Sequence, residues 1–148
     1  MALADLPHTT PYLLHRLVHA LDRVADALLQ AQLGISYSRF MFLAVLSHHE
    51  AATQHELAVV QGTSDAAVSL MTAELKKLGL VAVTPSPVHG RKRTLALTAA
   101  GARLVTRGDA ALRQAFARIV AESEVDEHRL AGDLRSLYAA IASPEGAP

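Results

Sequence analysis

The spacing of apolar residues predicts a long amphipathic helix near the beginning of the chain. Thr10-Pro11 favours a helix start, because proline suits the first turn, and Gly34 favours an end. Between these points apolar residues recur at alternating gaps of three and four: Leu14, Leu17, Leu21, Val24, Leu28 and Ala31. Such a long apolar stripe usually packs against a distant part of the chain or against another chain.

Two shorter helices are predicted in the middle of the chain. Ser36 is a suitable N-cap for the first of them, whose inner face consists of Phe40, Leu43 and Leu46. The second starts at Thr53, which with Glu56 has the sequence of a capping box, and ends at Gly62. Its predicted apolar contacts are Leu57 and Val60.

The next predicted helix has two contrasting faces. Ser64 is a suitable N-cap and Gly79 a suitable stop. The apolar face consists of Val68, Met71, Leu75 and Leu78. The opposite face, predicted to be exposed, carries Asp65, Ser69, Thr72 and Lys76. A slim polar face of this kind can enter a groove, and the tight turn before it indicates a helix-turn-helix.

A hairpin is predicted directly after this helix. The alternation in Val81–Thr84 indicates a strand, the segment Pro85–Gly90 cannot be helical, and Thr94–Leu97 returns as a second strand. Arg91, Lys92 and Arg93 give the turn a cationic tip. The predicted fold class is therefore mainly α with a small β-hairpin wing (α+β), a winged helix-turn-helix.

Two more helices are predicted after the hairpin. Thr98 can cap a long helix that reaches about Val120, in which Gly101 and Gly108 are expected to be mild defects, each costing up to about 1 kcal/mol relative to alanine. The last helix starts at Ser123 or Asp126, with an apolar stripe of Leu130, Leu134, Leu137 and Ile141. The end of the chain, residues 143–148, is expected to fray.

Four segments carry a resemblance to a known family: Gly62-Thr63-Ser64, Ala67-Val68-Ser69, Leu75 to Val81, and Leu97 to Gly101. Their order and spacing resemble the MarR family of bacterial transcriptional regulators, and the flanking helices match too. The resemblance implies a homodimeric winged-helix DNA-binding protein whose affinity for duplex DNA is changed by a small ligand.

The domain organisation follows from the positions of the long helices. Residues 1–148 are predicted to form a single domain, with a DNA-binding part at about 36–97 and dimerisation helices at about 10–33 and 98–142. Two identical subunits would hold two recognition helices about one DNA turn apart, roughly 34 Å. The target would then be a pseudo-palindrome, bound by a repressor.

Composition narrows the possible functions. Hydrophobic residues are 51% of the chain and the mean hydropathy is +0.22, which is high for a monomer of 148 residues. The longest apolar run, 40–46, is too short to span a bilayer, and the first residues lack a basic leader, so a cytoplasmic protein is expected. The absence of cysteine excludes disulfides and thiolate chemistry, and no motif of a catalytic site is present, so no enzyme is expected.

The net charge of zero means that DNA binding depends on a local patch. The window 76–93 holds five of the fourteen Lys and Arg residues, and Glu74 is the only acid from 66 to 108. Base edges or nearby phosphates are expected to be reached by Ser64, Ala66, Ser69, Leu70 and Thr72, with Leu70 suited to a thymine methyl group. Phosphate or the minor groove is expected to be contacted by Lys76, Lys77, Arg91, Lys92 and Arg93.

A small aromatic or anionic effector is expected where the first helix meets the DNA-binding part, because a ligand there can change the spacing of the two recognition helices. The predicted ligand residues are Tyr12, His15, His19, Tyr37, Arg39, Phe40 and Met41, and Arg39 suits an organic anion. A metal-responsive regulator is an alternative, because His15 and His19 are one helical turn apart, although no third ligand is evident. No metal or cofactor is assigned.

Three positions depart from the family pattern. Members commonly have basic residues at the positions of Leu70 and Glu74, and an acidic residue at the position of His89. These departures favour weaker or more wing-dependent DNA binding. They also leave open a dimeric winged-helix interaction module with weak or no specific DNA binding.

Overall fold

Six helices and one two-stranded sheet make up the described part of the chain, residues 8–49, 52–86 and 93–142 of a computed structural model. In chain order they are α1 (Thr10–Leu33), α2 (Tyr37–Ser47), α3 (Gln54–Gln61), α4 (Asp65–Lys77), β1 (Val81–Pro85), β2 (Arg93–Leu97), α5 (Ala99–Ser123) and α6 (Glu127–Ala142). The mainly α winged helix-turn-helix is thus confirmed. The chain divides into two compact units, Met1–Leu112 and Arg113–Pro148. None of the described helices is both long and apolar enough to cross a membrane.

The predicted caps fix most helix boundaries. Thr53 and Glu56 form both bonds of the capping box, since the Thr53 side chain accepts the Glu56 N–H at 3.2 Å and the Glu56 carboxylate accepts the Thr53 N–H at 2.7 Å. Ser64 Oγ accepts the Ala67 N–H at 3.2 Å. Between these helices Gly62 has a φ of 60°, the left-handed conformation that glycine adopts most readily. Local hydrogen bonding therefore fixes the helix-turn-helix.

Some boundaries differ slightly from the prediction. The N-cap of α1 is Thr9, one residue earlier than expected. The last helix follows Asp126, whose side chain accepts the Arg129 N–H at 3.0 Å, and α5 continues to Ser123. The tail at 143–148 lies outside the described residues.

The hydrophobic core is centred on α2. As predicted, Phe40, Leu43 and Leu46 are buried, and Phe42 is buried as well. Residues from the surrounding elements complete the core: Leu29, Leu57, Val68, Leu75 and Leu95. The core of the first unit thus includes residues of α1, α2, α3, α4 and β2. The buried faces of the helix-turn-helix, α3 and α4, pack against it.

The wing is held to the helices by backbone hydrogen bonds. In the antiparallel sheet Val81 pairs with Leu97 and Pro85 with Arg93. Ala52, just before α3, forms a bridge to Leu95, with N···O distances of 3.2 and 2.7 Å. The strand β2 is therefore hydrogen-bonded along one edge to β1 and along the other to Ala52, which connects the hairpin to the start of α3.

Some members of three predicted apolar faces are exposed. Val60 and Leu78 are each 57% exposed, whereas Ala58 takes the place of Val60 in the core. In α1 the predicted stripe remains largely at the surface, with Leu17 and Val24 about half exposed. The buried residues of α1 are instead Ala25 and Leu29.

Gly101 and Gly108 are not defects, which corrects the sequence-based expectation. A Cβ on Gly101 would collide with the carbonyl oxygen of Leu80, and one on Gly108 would overlap the ring of Phe40. Both glycines allow α5 to approach its neighbours closely. Alanine is therefore the worse residue at both positions, despite its higher helix propensity.

Candidate nucleic-acid interface

The exposed face of α4 carries most of the predicted DNA contacts. Exposed residues at its N-terminal end are Ser64, Ala66, Ser69 and Leu70, and the side chain of Leu70 is 66% exposed. Lys76 and Lys77 are exposed at its C-terminal end, where cations also complement the helix dipole. The helix therefore presents short side chains at one end and two ammonium groups at the other.

Thr72 does not belong to this face. It is 4% exposed, and its Oγ1 has no hydrogen-bond partner among the residues that the structure describes. Thr72 lies four residues after Val68 and three before Leu75, so helical spacing places it on the buried side of α4. The sequence-based placement of Thr72 on the exposed face was wrong.

The wing contributes one described cation. Arg93 is exposed at the start of β2. Arg91, Lys92 and His89 lie outside the described residues, so their predicted roles stay predictions.

Two acidic side chains on α4 have partners within the protein. Asp65 accepts from His55 Nδ1 of α3 at 3.2 Å. Glu74 Oε2 accepts from Arg39 of α2, at 2.9 Å from Nη2 and 3.2 Å from Nε. The charge of Glu74 is thus balanced by the cation that sequence analysis had assigned to an anionic effector.

The predicted ligand residues are only partly brought together. His19 and Tyr37 line one open cleft between α1 and the start of α2, together with Asp22, Arg23, Asp26, Ala27 and Ser38. Phe40 is buried in the core and Arg39 is paired with Glu74, whereas Met41 is 41% exposed. Tyr12 is half-buried and His15 is exposed. The cleft thus combines the rings of Tyr37 and His19 with two carboxylates and one guanidinium group, that of Arg23, so its charge is mixed rather than purely cationic.

Two carboxylates act on Tyr37 in different ways. Burial raises the pKa of the Tyr37 hydroxyl above its ordinary value of 10.0, and the negative charge of Asp22 raises it further. Asp26 Oδ1 accepts the backbone N–H of Tyr37 at 2.7 Å. Because Tyr37 is the first residue of α2, this bond occupies a backbone donor that a helix start leaves free. Asp26 therefore connects α1 to the first turn of α2.

His15 and His19 lie together on α1. The rings of His15 and His19 are in contact edge to face, with centroids 4.4 Å apart. Among residues 8–49, 52–86 and 93–142, no three His, Asp or Glu side chains are grouped to hold a metal ion. The described residues thus offer no such site.

Sequence reasoning missed two contacts in this region. Arg39 and Glu74 are 35 positions apart, and Asp26 and Tyr37 are 11 apart. Helical spacing connects only residues three or four apart, so neither pair leaves a local signal. The single acid in the otherwise basic stretch 66–108 was the one available indication that Glu74 has a particular partner.

The chain is similar to known transcriptional regulators in both sequence and structure. The HTH-type transcriptional repressor Rv2887 of Mycobacterium tuberculosis is 31% identical over 118 residues, which is 80% of this chain and 84% of that protein. The HTH-type transcriptional repressor Mb2911 of Mycobacterium bovis gives the same values. Among solved structures, the transcriptional repressor CouR bound to a 23-mer DNA duplex has a TM-score of 0.80 at 22% identity, covering 97% of this chain and 99% of that one. Wild-type MarR from E. coli in its apo form has a TM-score of 0.74 at 21% identity, covering 91% and 98%.

The family assignment agrees with the resemblance found in the sequence. The sequence model of the MarR family matches residues 33–92, which include α2, α3, α4 and β1. The similar proteins are regulators rather than enzymes. The chain belongs to the MarR family of transcriptional regulators.

Proposed function

We propose that this protein is a homodimeric repressor that binds a pseudo-palindromic operator in the cytoplasm. The observation that carries the proposal is the exposed face of α4, with Ser69 and Leu70 near one end and Lys76 and Lys77 at the other. Short side chains allow close approach to base edges, and the ammonium groups suit phosphates. The curated relatives are named repressors, and CouR has been solved with DNA, which supports the same activity here.

The pairing of acidic residues favours specific DNA binding over a module without it. Glu74 was one of three departures from the family pattern that favoured weaker binding, and an unpaired carboxylate on α4 would repel phosphates. Its bond to Arg39 at 2.9 Å balances that charge. Asp65 has the imidazole of His55 beside it. The carboxylates of α4 therefore offset the attraction of Lys76 and Lys77 for phosphates less than the sequence suggested.

Exposed apolar side chains on two helices support dimerisation. On α1 they are Leu13, Leu17, Val18 and Val24, each between 47% and 54% exposed. On α6 they are Leu134, Leu137, Tyr138 and Ile141, and Ile141 is 78% exposed. Exposed apolar surface on each of these helices is typical of an association site. A second copy that covers these faces would place two α4 helices on one duplex, at half-sites about 34 Å apart.

A small molecule is proposed to modulate this binding from the cleft lined by His19 and Tyr37. The cleft joins α1, which we assign to the dimer contact, to the start of α2, which supports the recognition helix. Because Arg39 is engaged by Glu74, we assign recognition to the rings of Tyr37 and His19, which suit an aromatic effector, and Arg23 is the cation of the lining that suits an acidic group on it. Ligand binding there would change operator affinity by altering the spacing of the two reading helices.

The experiment is a fluorescence anisotropy titration with the upstream region of the protein's own coding sequence and with a scrambled duplex, at several salt concentrations. We expect specific binding that weakens steeply with salt. Lys76→Ala and Lys77→Ala should weaken binding to both duplexes and reduce the salt slope by about one for each phosphate contact removed.

Arg118→Ala is the matched control, because Arg118 is exposed on α5 and its loss changes the net charge equally. It should leave the salt slope unchanged. Weak binding that does not distinguish the two duplexes would contradict the proposal and favour the interaction module.

A further inference from the structure

The bond between Arg39 and Glu74 joins the central helix of the core to the recognition helix. Two guanidinium nitrogens, Nη2 and Nε, donate to the same carboxylate oxygen at 2.9 and 3.2 Å. The planar guanidinium restricts the direction from which the carboxylate can approach. The pair therefore restricts the orientation of Glu74 relative to Arg39 as well as the distance between them.

A second polar contact involves the same helical turn of α2. Asp26 of α1 accepts the N–H of Tyr37 at 2.7 Å, and Tyr37 is two residues before Arg39. The Arg39 N–H is in turn bound to Ser36 Oγ, the N-cap of α2, at 3.4 Å. The first turn of α2 is thus held from α1 through Asp26 and reaches α4 through Arg39.

Asp65 binds His55 at the N-terminal end of α4, whereas further along the helix the contacts with the core are largely apolar, so the Arg39–Glu74 pair can restrain rotation there. The buried residues of α4 are Val68, Thr72 and Leu75, which form a single stripe along one side. Apolar contacts along one stripe are non-directional, so they resist separation of the helix better than rotation about its axis. Glu74 lies beside the stripe, where a directional bond opposes that rotation.

We propose that Arg39 and Glu74 are positioning residues, and that Asp26, Tyr37 and this ion pair form a polar link that transmits the placement of α1 to the recognition helix. The inference rests on the proposed function, because rotation of α4 changes which side chains face the bases. Neither Arg39 nor Glu74 needs to touch DNA in this role. Glu74 is thus an orienting group rather than a weakened phosphate contact.

The first test compares specific with non-specific affinity for Glu74→Gln. Removing a negative charge alone would raise binding to every duplex, whereas loss of orientation lowers the ratio of specific to non-specific binding. We expect that ratio to fall about fivefold per subunit, which is the scale of a partly exposed ion pair. An unchanged or raised ratio would overturn the proposal.

Charge exchange separates orientation from direct contact. Glu74→Arg alone places two guanidinium groups side by side, so the ratio should fall, and adding Arg39→Glu should restore it. If position 74 simply contacts phosphate, Glu74→Arg alone should bind every duplex more tightly, and adding Arg39→Glu should restore nothing. Arg118→Gln is the control, since it removes an exposed cation from α5.

The link from α1 is tested by Asp26→Ala, alone and combined with Glu74→Gln. If the two contacts act in series, either substitution breaks the same link. The ratio of specific to non-specific binding should then fall no further in the double variant than in the worse single variant. Losses in this ratio that multiply would overturn the link.

Amide hydrogen exchange of free protein keeps this inference separable from the proposed function. The α4 amides should exchange faster in Glu74→Gln and recover in the charge-exchanged variant, without a comparable change in α5. Equal exchange in all variants would overturn the positioning role. Failure of the wild-type protein to bind any duplex specifically would instead overturn the proposed function.

Discussion

The helices α2 and α6 have similar apolar spacing and opposite exposure. In α2, 11 residues long, Phe40, Phe42, Leu43 and Leu46 are buried. In α6, 16 residues long, no residue is buried, and Leu137 is 51% exposed. A period of three and four therefore predicts which residues share a face, but not what covers that face. In α2 the covering elements belong to the same chain, and for α6 we propose a second copy.

The largest expected effect comes from substituting one leucine in each helix. Leu46 is fully buried, so Leu46→Ala should lower the free energy of unfolding by about 2–5 kcal/mol in urea denaturation. Leu137→Ala should instead weaken self-association in sedimentation velocity, with a change in thermal stability that depends on protein concentration.

Other results would contradict this contrast between a buried α2 and an α6 covered by a second copy. If Leu137→Ala left the association constant unaltered, the exposed face of α6 would not be a dimer contact. If Leu46→Ala cost less than about 1 kcal/mol, the burial of α2 would not dominate the stability of the fold.

Gly108→Ala tests the burial of α2 through its contact with α5. The added Cβ would overlap the ring of Phe40, so the close approach of α5 to α2 would be lost. We expect a loss of about 1–3 kcal/mol in the free energy of unfolding, as is typical of overpacking.

Gly132→Ala in α6 is the matched control, because a Cβ there meets nothing within 4 Å. Helix propensity alone should then stabilise the protein by up to about 1 kcal/mol. Changes of the same sign in both variants would contradict the assigned packing of α5.

Local chemistry made much of this fold predictable. The capping box at Thr53, the N-cap at Ser64 and the left-handed Gly62 each act within a few residues, and all three were predicted. Gly108 was misjudged because Phe40, which it accommodates, is remote in sequence. The pairing of Arg39 with Glu74 was missed for the same reason, so the site was less predictable than the helices that carry it.

Thr72→Val should have a small effect on stability and should distinguish the buried face of α4 from the exposed one. The buried Oγ1 has no partner in the described part of the chain, so replacing the hydroxyl with a methyl group should raise the free energy of unfolding by about 1 kcal/mol. Operator affinity should not change, because Thr72 faces the core. Ser69→Ala is the counterpart on the exposed face: it should change stability by less than about 0.5 kcal/mol and weaken binding to the operator. Should Thr72→Val weaken operator binding at unchanged stability, Thr72 would belong to the DNA-reading face after all.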